Sequence, residues 1–168
     1  MYKLSKYLII LLSIMLLYNI GHAQDLNFYW ANQYGSDNIP NDLKSLCSDN
    51  TNQVLAFTDF EAEFTIGADT YTSVGGTDLI FYAVNESGML EWTVKDGGVD
   101  NEYAQQIKCD ADGNVYIIGK FSNSLMMNGI SYESNGTFDM FLAKYSNSGA
   151  FEWCKVFGGP NSESLVSL

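Results

Sequence analysis

The sequence predicts an all-β protein assembled from repeated four-stranded antiparallel units, and three observations predict it. First, the chain repeats itself: Trp30, Trp92 and Trp153 are spaced by 62 and 61, and Leu46–Trp92 maps onto Ile107–Trp153 without a gap at a constant offset of 61. The stretch Asp78-LIFYAVNESGMLE-Trp92 and its copy Asp139-MFLAKYSNSGAFE-Trp153 make the match visible. Second, aromatic and β-branched runs alternate with clusters of Gly, Asn, Asp and Ser, the pattern of strands joined by tight turns. Third, no stretch after Ala23 sustains a helical period over three turns. Repetition of this kind marks units that cannot bury an apolar face alone and must stack on their neighbours.

The segment Met1–Ala23 is read as a signal peptide rather than as fold. Lys3 and Lys6 form a basic start, Tyr7 to Tyr18 is apolar except for Ser13, and Gly21-His22-Ala23 offers small residues for cleavage before Gln24. The apolar run of about 12 residues falls short of the roughly 20 a membrane-spanning helix needs, which disfavours the alternative of an uncleaved anchor. A lead-in covers residues 24–27, repeat one residues 28–90, repeat two residues 91–151, and a truncated repeat three residues 152–168. Within each repeat the expected strands pair off. Val54–Thr58 matches Val115–Ile118, and Leu79–Val84 matches Met140–Tyr145. The turns Asn85–Gly88 and Ser146–Gly149 then lead into the tryptophan strands. A further strand near Ala104–Cys109 closes with the turn Asp110-Ala-Asp-Gly-Asn114.

Composition excludes several function classes. The eight basic residues are all lysine, and the leader holds two of them, so residues 24–168 carry 6 lysines against 20 acids, a net charge near −14. Such a chain lacks the basic patch that nucleic acid or an anionic membrane surface requires. The leader also holds His22, the one histidine, and the chain has no arginine. Without these residues, Ser-His-Asp and Cys-His catalysis lose their base, and histidine-ligated zinc or iron has no ligands. Bidentate clamping of phosphate or carboxylate is likewise unavailable.

Three cysteines remain, Cys47, Cys109 and Cys154, in a chain expected to be exported. On the gapless alignment Cys47 matches Lys108, one place from Cys109, so the two are expected on opposite faces of equivalent strands. On that ground a disulfide between repeats is not expected at this register. Small buried residues and one disulfide both stay open.

Four strands per repeat is the make-up of one propeller blade, here a roomy one. The string Trp92-x4-Gly97-Gly98, Asp110-Ala-Asp-Gly-Asn-Val-Tyr-Ile-Ile-Gly-Lys-Phe121, Asp139-Met-Phe-Leu-Ala-Lys-Tyr145, Ser148-Gly149, Trp153 resembles the SBBP-type repeat, a bacterial β-propeller repeat. The resemblance covers essentially all of the chain after the leader and is strongest in repeat two. Repeat one is looser, with Ser48-Asp-Asn-Thr-Asn-Gln53 at the Asp-x-Asp-Gly-Asn turn and a single glycine in Tyr34-Gly35-Ser36. The resemblance implies secreted or surface proteins of Gram-negative type, often large, with no general catalytic motif to carry over. It also implies that about two and a third repeats form an incomplete ring, since a propeller closes with roughly four to eight blades. The expectation is therefore a piece of a larger protein, with further blades in cis. Closure by oligomerisation is the alternative.

Candidate chemistry weighs against catalysis. Asp110–Asn114 opens like a calcium loop, but position 12 of that loop is Phe121, where a bidentate glutamate belongs, so a hairpin turn is preferred. Glu91, Glu152, Asp78 and Asp139 recur with the repeat, as turn-capping or ion-paired acids do, whereas glycoside hydrolysis needs two acids converging on one bond. The periodic tryptophans are expected to pack between blades rather than to stack on sugars. Gly97-Gly98 and Gly158-Gly159 lack the lysine, serine and helix of a phosphate loop and read as tight turns. Asn85-Glu-Ser87 and Asn135-Gly-Thr137 match the glycosylation pattern only as exposed turns.

No residue is singled out as catalytic, cofactor-binding or metal-ligating. The sequence leads to a secreted or surface-exposed, non-catalytic scaffold or binding module with an unknown protein or glycan ligand. A structural or adhesive segment of a giant surface protein is the alternative, and a carboxylate enzyme acting on polysaccharide is a more remote one.

Overall fold

The computed structural model describes residues 43–50 and 52–163. The leader, the lead-in, Trp30, Tyr34-Gly35-Ser36 and the tail Ser164–Leu168 lie outside the described residues. Ten strands and no helix make up the described chain: β1 Ser45–Ser48, β2 Val54–Ile66, β3 Asp69–Val84, β4 Leu90–Asp96, β5 Glu102–Cys109, β6 Val115–Phe121, β7 Ser124–Met127, β8 Ile130–Glu133, β9 Asp139–Tyr145 and β10 Phe151–Phe157.

They form two four-stranded antiparallel sheets, in the orders β1-β2-β3-β4 and β5-β6-β9-β10, and a small β7-β8 ribbon. The pairing registers repeat at the sequence period. Val54 faces Val84 as Val115 faces Tyr145, and Ile66 faces Asp69 as Met127 faces Ile130. The sheet boundary falls after Asp96, so the Trp92 strand that heads the second sequence repeat completes the first sheet.

The turns form because one side chain supplies the acceptors that each hairpin tip needs. Asp110 Oδ1 accepts from the amides of Asp112 (3.0 Å) and Asn114 (2.8 Å). Asn85 Oδ1 accepts from Ser87 (3.0 Å) and Met89 (3.1 Å), and Ser146 Oγ accepts from Ser148 and Ala150. Asp49 accepts from Gln53 in the same way. The looser Ser48–Gln53 turn thus folds like its copy, with Asn52 (φ 63°) standing in the left-handed position that Gly113 (φ 81°) holds in repeat two.

One feature exceeds the sequence expectation. Strands β2 and β3 run on into a long hairpin, whose counterpart in the second repeat breaks into β6–β9 and the β7–β8 ribbon. Ala62 (φ 62°) and Asn123 (φ 48°), at equivalent positions of the two repeats, mark the same irregularity in both, and at Ala62 it shifts the register between Glu61 and Glu63. Gly75 and Gly76 sit inside β3 rather than in a turn, because the Val99–Asn101 backbone and the Asn101 side chain pass where a Cβ would stand.

The two sheets stack face to face. Leu55, Phe57, Leu79 and Phe81 from the first meet Ile107, Ile117, Phe141 and Tyr145 from the second in one shared core. Fully burying a phenylalanine such as Phe57, Phe81 or Phe141 contributes roughly 1.5–3 kcal/mol. A second core lies on the other face of the first sheet, around Phe60, Ile80 and Tyr82. Hence β3 ends in a continuous buried run, Leu79–Val84, whereas β9 alternates buried and half-buried residues along its length.

Candidate functional site

The junction between the sheets gathers most of the chemistry-bearing side chains. Stacking brings β1 and β5 side by side, and Cys47 of the first bonds Cys109 of the second, with Cα atoms 6.0 Å apart. This corrects the expectation that the register disfavours such a bond. Copies of one sheet, stacked in one direction, meet through unlike faces, so residues on opposite faces of equivalent strands point at each other. Cys154 is the remaining thiol, half-buried against the shared core. Burial, reinforced by the Asp96 charge, pushes it up to about 12, which leaves it an unreactive thiol at neutral pH.

The repeating acids divide into two kinds. Asp78 and Asp139 are fully buried. Asp78 Oδ2 accepts from the Val74 amide (3.0 Å), and Asp139 Oδ2 accepts from the Asn135 amide (2.8 Å). Asp78 also pairs with the Lys95 ammonium at 2.6 Å. Glu91 and Glu152 lie at the surface instead, where Gln53 Nε2 donates to Glu91 and Lys144 pairs with Glu152 at 2.8 Å. The four acids therefore hold backbone amides or pair with polar side chains.

The first glycine of each pair has a reason beyond the tight turn expected of it. A Cβ on Gly97 would stand 2.6 Å from Cγ of Asp78, and one on Gly158 would overlap the Asp139 carboxyl. Only Gly97 of these two has positive φ (138°). Glycine is required because a buried carboxyl group presses on the backbone.

Sequence reasoning missed three members of this junction. Glu102 on β5 is fully buried and accepts from the Gly98 amide at 3.2 Å. Burial raises its carboxyl to about 7, with the Asp78 and Asp100 charges adding to the shift and Lys95 opposing it. Asp96 accepts a 2.5 Å hydrogen bond from the Tyr145 hydroxyl across the sheets. Burial raises the Asp96 carboxyl, and burial beside Asp96 raises the Tyr145 hydroxyl. Asp59 of the first sheet accepts from the Ala104 amide of the second at 3.0 Å. Glu102 alone left a signal, because Glu163 recurs at the equivalent position and lies against Gly159 as Glu102 lies against Gly98.

A carboxyl near neutrality has the proton affinity of a general acid or base, yet Glu102 is sealed from any solute. No group of three or more His, Cys, Asp or Glu side chains among the described residues is placed to hold a metal ion. At Asp110 both carboxylate oxygens are engaged within the turn, Oδ2 by Asn114 Nδ2 (2.9 Å) and the Tyr116 hydroxyl (3.2 Å). Hydrogen bonds led by that of Asn114 hold this carboxyl below its usual range.

Trp92 packs across the junction, with its ring edge-on to Phe81 at 5.9 Å and against Gly149 of the second sheet. Trp153 projects from the opposite face of the second sheet, because its neighbours Cys154 and Val156 enter the shared core. Tyr116 flanks it at 6.3 Å and the Lys155 ammonium at 5.5 Å. No protein-family profile matches this chain, and no curated protein shows significant similarity to it.

Proposed function

We propose that the chain is an exported, non-catalytic scaffold or binding module of the cell surface or extracellular space, whose two sheets are consecutive blades of a β-propeller of SBBP type. One observation carries the reading. Successive repeats stack face to face with identical registers, first strands together and tryptophan strands at the far edge of each sheet. That is the relation any two neighbouring blades of a ring must have. The junction polar groups support a structural role, since each is buried or engaged in holding backbone. The face of the second sheet that bears Tyr116, Trp153 and Lys155 receives a further blade in cis on this reading, and the ligand, a protein or a glycan, binds at loops on one end of the ring.

The test is to express the full chain in a Gram-negative host, locate it and read its first residue. Mature protein that begins at Gln24 outside the cytoplasm is then applied to arrays of glycans and matrix proteins. Saturable binding without turnover supports the reading. Protein that retains Met1 in the cytoplasm overturns the export, and silence across both arrays counts against the binding role.

A further inference from the structure

The second core holds the evidence for an unassigned contact. All its members belong to the first sheet or to Leu43 just before it. Each of four maps, at the repeat offset, to a residue through which the second sheet meets the first: Ile80 to Phe141, Tyr82 to Ala143, Val84 to Tyr145 and Leu90 to Phe151. The far face of the first sheet is therefore buried at the same positions as a face already known to be covered. In the shared core the corner formed by Ala143, Tyr145 and Phe151 lies beside Trp92, and a Cβ on Gly149 would stand 2.9 Å from Cε3 of that indole.

Gly88 is the copy of Gly149. It is buried, although Ser87 and Met89 on either side of it are exposed. A buried glycine at the tip of an exposed turn has something lying over it. The one tryptophan that precedes the first sheet is Trp30, a full repeat before Trp92. It sits in Phe28-Tyr-Trp-Ala-Asn-Gln33, a run without Gly, Pro, Asp or Ser.

We propose that residues 28–34 of this same chain cover the outer corner of the far face of the first sheet, with the Trp30 indole seated over Gly88 as Trp92 is seated over Gly149. Val84 and Leu90 then lie beneath the indole. The segment is a structural part of the stack rather than a spacer behind the leader. The inference needs neither a closed ring nor a ligand, so it stands apart from the proposed function.

The test places p-benzoylphenylalanine at position 30 of the full chain, irradiates it and maps the product by mass spectrometry. A link to the Asn85–Leu90 turn within one chain is expected. A link to any other region, or between isotopically light and heavy chains in a mixture, overturns the proposal. Hydroxyl-radical footprinting of the unmodified chain guards against a misfolded variant. Trp30 should oxidise several-fold more slowly in buffer than in urea, and equal rates overturn the proposal.

Discussion

Cys47 and Cys109 are bonded across two strands that the repeat makes equivalent, and they meet because their separation of 62 is one place more than the repeat offset. At the repeat offset itself both side chains would leave equivalent strands in the same direction, one toward the junction and one away from it. The extra residue turns the second toward the first.

Replacing both cysteines with serine should lower the unfolding free energy by about 4 kcal/mol, the chain-entropy value for a closed loop of this length. Urea denaturation under non-reducing conditions measures it. A loss below about 1 kcal/mol would mean that the stacked sheets hold their arrangement in the unfolded ensemble without the bond. Native protein should alkylate slowly at pH 8, since Cys154 is the one thiol and burial keeps it protonated.

Glu102 gives stability a pH dependence with a defined sign. Its carboxyl rises from 4.5 to about 7 on folding, so the folded state binds the extra proton. The stability this group contributes is full below about pH 4.5 and is lost as pH rises through 7. The shift corresponds to at most about 3 kcal/mol. Glu102→Gln should flatten the decline between about pH 4.5 and 7, the window of this shift. Asp59 and Asp96, whose carboxyls burial also raises, act in the same direction. Parallel slopes for wild type and variant would sink the assignment.

Tyr145→Phe removes the hydroxyl that donates to Asp96 Oδ2 and leaves the buried carboxyl with the Asn128 amide, which donates to Oδ1 at 3.1 Å. A loss of about 1–3 kcal/mol is expected at neutral pH. In a double-mutant cycle with Asp96→Asn the two changes should be strongly non-additive. Simple additivity would show that the hydroxyl acts through packing alone.

Gly158→Ala and Gly129→Ala separate crowding from backbone conformation. Position 158 is blocked by the Asp139 carboxyl, whereas position 129 has open space and φ of 76°. The first should cost about 3 kcal/mol as an overpacked site and the second about 1 kcal/mol. Thermal melts of the two variants compare them directly, and equal losses would remove the crowding argument.

What the sequence made legible is local or periodic. The Asp110 and Asn85 turns were readable because a side chain and the amides it captures lie close together along the chain. Trp92 was readable because its spacing is that of the repeat. The long β2–β3 hairpin was not legible, because Gly75 and Gly76 inside β3 leave room for a segment that crosses from far along the chain. The Asp96–Tyr145 and Asp59–Ala104 contacts join residues 49 and 45 apart, and no spacing rule selects such partners. Cys47 and Cys109 were in view, but their relation depends on how copies stack, which one strand considered alone does not contain.

The placement of the disulfide has a mechanical consequence. The covalent link ties the first strands of the two sheets, while the strand at the opposite margin is held without a bond, by Trp92 resting on the Gly149 turn and by the Asp96–Tyr145 hydrogen bond. A load that pulls the sheets apart therefore meets a covalent bond along one edge and side-chain packing with a hydrogen bond along the other. The pair opens like a book on its spine, parting first at the tryptophan edge and keeping Cys47 and Cys109 together until the chain itself unravels.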